Sequence, residues 1–155
     1  MQVGRQCVEL LSLAMRTLAI GDIHGCLASL KAVLRVAGLS RGDTVVTLGD
    51  YVDRGPDSRG VIDFLIELRE RVNVVTLMGN HEILMLNARD SREDFKRWKG
   101  SGIGGDATLR SYGGEDCRVV PREHWKFIEE ALPFYEEHSH FFVHANAAPD
   151  LDLKD

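Results

Sequence analysis

The chain has 155 residues, 44% of them hydrophobic and 28% charged, and carries a formal net charge of −5. This is the composition of one soluble globular domain, not of a disordered or collagen-like chain, and mild acidity without a basic block argues against a nucleic-acid partner. Three cysteines (Cys7, Cys26 and Cys117) form no CxxC pair and are odd in number, so neither a disulfide framework nor a thiolate metal site is expected, and a cytoplasmic location suits them.

The first apolar run, Val8–Met15, is broken by Glu9. It is too short to span a membrane and lacks a small-residue cleavage site, so no membrane partner is expected. Residues 1–14 are read as an N-terminal extension ahead of a start at Met15. Three apolar runs follow, TLAI (17–20), TVVTL (44–48) and VVTLM (74–78). Short, rich in β-branched residues and bounded by glycines, they predict buried parallel strands. Between the first two, Leu27, Leu30, Val33 and Leu34 recur at helical spacing up to a stop at Gly38; between the next two, Asp57 or Ser58 caps a helix facing inward with Val61, Ile62, Leu65 and Leu68. Alternating strands and helices predict an α/β fold with right-handed crossovers. A third helix is expected near 81–89. The polar, glycine-rich residues 90–118 read as an insertion or lid rather than core. PREHWKFIEEALP predicts a helix between Pro121 and Pro133, and FYEE (134–137) and HFFVHA (140–145) predict two strands.

Each predicted parallel strand ends in glycine followed by a metal-capable residue: Gly21-Asp22, Gly49-Asp50 and Gly79-Asn80, spaced 28 and 30 residues apart. Adjacent strands would align these residues along the carboxyl edge of the sheet, where open α/β sheets bind ligands. A second polar group lies just beyond each: His24, Asp53 with Arg54, and His81. A lone Gly-Asp after a strand is usually a turn, and Gly42-Asp43 and Gly105-Asp106 are read so. Three in-phase copies instead point to a cation. Oxygen donors plus imidazole suit Mn²⁺, Fe or Zn²⁺, and a bridging Asp50 could hold two ions about 3.5–4 Å apart.

GDIHG (21–25), GDYVDRG (49–55), GNHE (79–82) and VHANAAPDL (143–151) together resemble the signature blocks of the calcineurin-like metallophosphoesterases, more closely the bacterial protein-phosphatase branch than the diadenosine-tetraphosphate hydrolases. The resemblance implies the N-terminal part of that family's four-layer α/β/β/α sandwich and two divalent metal ions, Mn²⁺ before Fe or Zn²⁺. It implies Asp22 and His24 at one ion, Asp50 bridging, and Asn80 and His144 at the other. Arg54, with Asn80, would bind phosphate, and His81 oriented by Asp53 would donate the proton to the leaving group. The implied reaction is hydrolysis of phosphomonoesters, phosphoserine or phosphothreonine in proteins or small phosphoesters. Hydrolysis of diadenosine tetraphosphate or another nucleotide is the alternative.

The family also implies further strands, another metal-ligating histidine and a second phosphate-binding arginine after the histidine block. Residues 15–155 are therefore read as an incomplete domain, and a catalytically impaired metal-binding remnant stays open as another reading. Gly100-x-Gly102-x-x-Gly105 matches a dinucleotide fingerprint only on paper, since no strand precedes it; the family comparison makes GGDATLRSYG (104–113) part of a lid over the phosphate. Trp98, Trp125, Phe127 and Phe134 are assigned to packing. His124, His138 and His140 are assigned to solvent or structural hydrogen bonds.

Overall fold

The computed structural model describes residues 15–100 and 102–146. The expected extension at 1–14 and the end of the histidine block lie outside the described residues. Strands β1 (Thr17–Ile20), β2 (Thr44–Thr47) and β3 (Asn73–Thr76) pair in parallel in the order β1-β2-β3. Thr17, Thr44 and Asn73 are in register, as are Ile20, Thr47 and Thr76, so the three carboxyl ends finish level. The central β2 is buried along its whole length, as expected of a strand with a neighbour on both sides and helices nearby.

Helices α1 (Leu27–Ala37) and α2 (Ser58–Leu68) form the two crossovers. Asp57 caps α2 by accepting from the Gly60 N–H at 2.8 Å, and Val61, Ile62, Leu65 and Leu68 are all buried, as the spacing predicts. On α1 the inner face is narrower than predicted: Leu30 and Leu34 are buried, but Val33 is 56% exposed. One residue before Leu34 is a rotation of about 100°, enough to turn Val33 off the sheet.

Leu77, Met78 and Gly79 link β3 to helix α3 (Asn80–Asp90), and α6 (Arg122–Glu129) follows Pro121. Strands β4 (Phe134–Glu137) and β5 (His140–Val143) form a separate antiparallel hairpin. The stretch expected to be an insertion or lid rather than core requires correction. It forms α4 (Arg92–Lys99), α5 (Gly105–Ser111) and a 3₁₀ turn at Cys117–Val119, and it places Trp98, Leu109 and Tyr112 in the core. These helices are short and mostly polar, and their buried residues, Trp98 in the first and Gly105, Ala107, Thr108 and Leu109 in the second, form no apolar run that composition would reveal. No helix among the described residues is long and apolar enough to cross a membrane.

A charge pair pins the amino ends of β1 and β2. Buried Asp43 accepts from the Arg16 guanidinium at 2.5 Å and from the Ser40 N–H at 2.9 Å, while Arg16 also donates to the carbonyl of Gly38, at the end of α1, at 2.9 Å. The Arg16 guanidinium holds the Asp43 carboxyl well below the usual carboxylate range. A lowered folded-state pKa stabilises above the ordinary carboxylate value, and the contribution fades as pH falls. Asp43→Asn is therefore expected to lower the urea midpoint at neutral pH, with the deficit narrowing below about pH 4. A deficit that does not change with pH would count against this pairing.

Candidate metal centre

Level strand ends bring the polar residues that follow them onto one edge. The loops there are tied together by main-chain bonds: the Asp50 carbonyl accepts from the N–H groups of Ile23 (3.0 Å) and His24 (2.8 Å), and the Tyr51 carbonyl accepts from Gly25 (2.8 Å). Close approach requires glycine at two of the strand ends. A Cβ on Gly79 would lie 2.2 Å from Asp50 Oδ1, and one on Gly49 would lie 2.7 Å from the Gly79 nitrogen. Four non-glycine residues in these loops take positive φ: His24 (43°), Asp50 (53°), Asp53 (72°) and Arg54 (64°). Left-handed backbone disfavours side-chain-bearing residues and persists only where surrounding bonds impose it.

Asp50 is buried and divides its two carboxylate oxygens. Oδ2 lies 3.6 Å from His24 Nε2, and Oδ1 lies 3.5 Å from His144 Nε2. Asp22 Oδ2 is 3.8 Å from the same His24 nitrogen, and Asn80 Oδ1 is 2.9 Å from the same His144 nitrogen. Two overlapping sets of donor atoms therefore share one carboxylate. Among the described residues, His24, Asp50 and His81 form one group of atoms within 4.8 Å of one another, and Asp22, Asp50 and His144 form another.

The tautomers show what these atoms lack. His24 Nδ1 sits 2.8 Å from the Val52 carbonyl, and His144 Nδ1 sits 2.9 Å from the Leu48 carbonyl. Carbonyls only accept, so each Nδ1 carries the proton and each Nε2 presents a lone pair. His24 Nε2 is buried with no hydrogen-bond partner, and His144 Nε2 faces the oxygens of Asn80 and Asp50. Lone pairs crowded against acceptors are what a cation resolves, and an imidazole oriented through its other nitrogen is the usual arrangement of a metal ligand. The residues fit divalent metal.

His81 is oriented differently. Its Nδ1 lies 2.7 Å from Asp53 Oδ2 and its Nε2 lies 3.0 Å from an Arg54 amino nitrogen. Arginine only donates, so Nε2 accepts and Nδ1–H points to Asp53. Arg54 and Asn80 are exposed, whereas Asp53 and His81 are buried. The structure thus brings Asp22, His24, Asp50, Asp53, Arg54, Asn80, His81 and His144 to one edge. His124 instead lies between the Tyr112 hydroxyl (2.9 Å) and Asp63 (2.9 Å), while His138 and His140 are exposed.

Sequence reasoning missed Glu82. Its buried carboxylate accepts from the N–H groups of Asp50 (2.7 Å), Tyr51 (2.8 Å), Val52 (3.3 Å) and Gly79 (3.1 Å), fixing the loop that carries Asp50. Burial pushes this carboxyl up to about 7, with the Asp50 charge adding to the shift and the loop N–H groups opposing it. Glu82 stands in the GNHE block (79–82), but no sequence signal marks partners that are all backbone N–H groups.

The calcineurin-like phosphoesterase family matches residues 15–151. The chain belongs to that family. A symmetrical bis(5'-nucleosyl)-tetraphosphatase from Pseudomonas putida (strain GB-1) is 38% identical over 140 residues, 90% of this chain and 45% of the relative. One from Wigglesworthia glossinidia brevipalpis is 38% identical over 139 residues, 88% of this chain and 46% of the relative. A solved structure of a candidate diadenosine tetraphosphatase superposes with a TM-score of 0.66 at 25% identity, covering 92% of this chain and 55% of the other. The chain spans about half the length of the relatives it matches. Membership makes it a member of a family of metal-dependent phosphoesterases, in agreement with the donor set at the strand ends.

Two outcomes follow from this geometry. Asp50→Asn is expected to reduce bound Mn²⁺ at both positions and Asp22→Asn at one, read as metal per chain by elemental analysis; full occupancy in Asp50→Asn would remove the shared-ligand assignment. Glu82→Gln turns an acceptor into a donor aimed at backbone N–H groups, and is expected to cost about 1–3 kcal/mol of stability at about pH 8, by urea unfolding. No loss would mean the loop holds Asp50 without it.

Proposed function

We propose that this phosphoesterase hydrolyses dinucleoside polyphosphates, cutting a phosphoanhydride bond between two nucleotide halves. The reaction class rests on the division of the Asp50 oxygens between two imidazole lone pairs, and the substrate class rests on what the relatives are named for. Those relatives favour the nucleotide alternative over the phosphoserine and phosphothreonine expectation.

Asp22, His24 and Asp50 would hold one divalent ion, and Asp50, Asn80 and His144 the second; Mn²⁺ suits their oxygen and imidazole donors. Bound there, two cations supply Lewis-acid chemistry, offsetting phosphoryl charge and activating water. Arg54 binds phosphoryl oxygens with its planar fork. In doing so it leaves His81 Nε2, the atom that must carry a proton if His81 is to donate one. Asp53 accepts from Nδ1–H and holds the ring in that orientation. The freed Nε2 takes up a proton from solvent, and His81 gives that proton to the departing oxygen. A nucleoside diphosphate is a far better leaving group than a serine alkoxide and needs that proton less.

With Mn²⁺ supplied, the protein is expected to convert diadenosine tetraphosphate to two ADP faster than it dephosphorylates a phosphoserine peptide. Faster turnover of the peptide would overturn the substrate assignment. His81→Asn is expected to lower kcat on an alkyl phosphate by about 10²–10⁴-fold, and by much less on the dinucleotide, with metal content unchanged. Equal losses on both substrates would remove His81 as proton donor.

A further inference from the structure

Asp53 is 0% exposed and receives more donors than any turn requires. Oδ2 accepts from His81 Nδ1 at 2.7 Å and from the Trp98 indole N–H at 2.9 Å. Oδ1 accepts from the same indole N–H at 3.0 Å and from the Thr108 hydroxyl at 2.8 Å. The Asp53 N–H points back to Thr108 Oγ1 at 2.8 Å and Ser58 Oγ at 3.2 Å, and those two hydroxyls are 3.1 Å apart.

Every proton in this cluster has one consistent place. Thr108 has a single hydroxyl proton, which goes to Asp53 Oδ1, so its lone pairs accept from the Asp53 N–H and from Ser58. The network is closed and directional, leaving the carboxylate one orientation. The indole and hydroxyl donors, Trp98 and Thr108, come from α4 and α5 and are 45 and 55 residues from Asp53 in sequence. The same segment grips the neighbouring residue, since the Gly104 carbonyl accepts from the Arg54 N–H at 3.3 Å. Tight packing maintains the arrangement: a Cβ on Gly105 would lie 2.4 Å from the Trp98 ring. Burial alone raises the pKa of the Asp53 carboxyl, and the hydrogen bonds from His81, Thr108 and Trp98 oppose that.

We propose that Trp98 and Thr108 are positioning residues of the proton donor, locking the Asp53 carboxylate so that His81 keeps its proton on Nδ1 and turns Nε2 to the reacting phosphate. The proposal rests on the reading of His81 as proton donor, and it concerns residues outside the donor groups at the strand ends. Trp98 packs as expected of a buried indole, but its N–H is committed to the acid pair.

Trp98→Phe keeps the ring and deletes the donor; Thr108→Val keeps the shape and deletes the hydroxyl, whereas Thr108→Ser retains it. Loss of either donor is expected to reduce kcat on an alkyl phosphate by about 10–100-fold, with a much smaller loss on p-nitrophenyl phosphate and unchanged metal content. Thr108→Ser is expected to stay near wild type. In a His81→Asn background, Trp98→Phe is expected to lower kcat no further. Proton NMR of the protein without added metal gives a readout independent of turnover: the downfield His81 Nδ1–H resonance is expected to shift or vanish in Trp98→Phe. An unchanged resonance, equal losses for alkyl and aryl substrates, or a full further loss in the His81→Asn background would each overturn the proposal. Failure to cleave diadenosine tetraphosphate would overturn only the substrate assignment. If Thr108→Val does not fold, the Trp98→Phe measurements decide.

Discussion

The main chain and side chain of Asp50 are held at once from three strand ends. Its carbonyl takes N–H groups from the first loop, its own N–H goes to Glu82 on the helix after the third strand, and its Oδ1 accepts the His81 N–H at 3.0 Å. The backbone at Asp50 is left-handed, a conformation it would not keep alone. Parallel pairing in level register is what makes these bonds possible. If one strand slipped by a residue, its terminal carboxylate would turn to the opposite face of the sheet.

That geometry gathers Asp50, Asp53 and Glu82 in the protein interior, where like charges repel and desolvation is costly. The three are managed in different ways. Glu82 is surrounded by backbone N–H groups and still has its pKa pushed up to about 7. Asp53 is met by an indole, a hydroxyl and an imidazole. Asp50 receives the His81 N–H on one oxygen only, and its oxygens face the lone pairs of two histidines. The carboxylate with the fewest donors is the one whose two oxygens face imidazole lone pairs.

Arg54 links the two halves of this arrangement. Its guanidinium donates to the lone pair of His81 Nε2 at 3.0 Å. The backbone N–H of the same residue is held by the Gly104 carbonyl, between α4 and α5.

The strands, the helices between them and the glycines at their ends were legible in the sequence because they follow from local rules: β-branched runs, the helical recurrence of Val61, Ile62, Leu65 and Leu68, and turns that admit no side chain. The spacing of Asp22, Asp50 and Asn80 foretold their common edge because each strand–helix unit has nearly the same length. What lies within the 90–118 stretch was not legible, because Trp98 and Thr108 look like packing and loop residues until folding sets them against Asp53. Glu82 stood inside a quoted motif without a role, since its partners are backbone N–H groups that no side-chain pattern reveals. His144 reaches the Leu48 carbonyl across 96 residues. Periodicity reports how much of a residue is buried, but the polar atom it meets there depends on long-range packing, which only the tertiary structure decides.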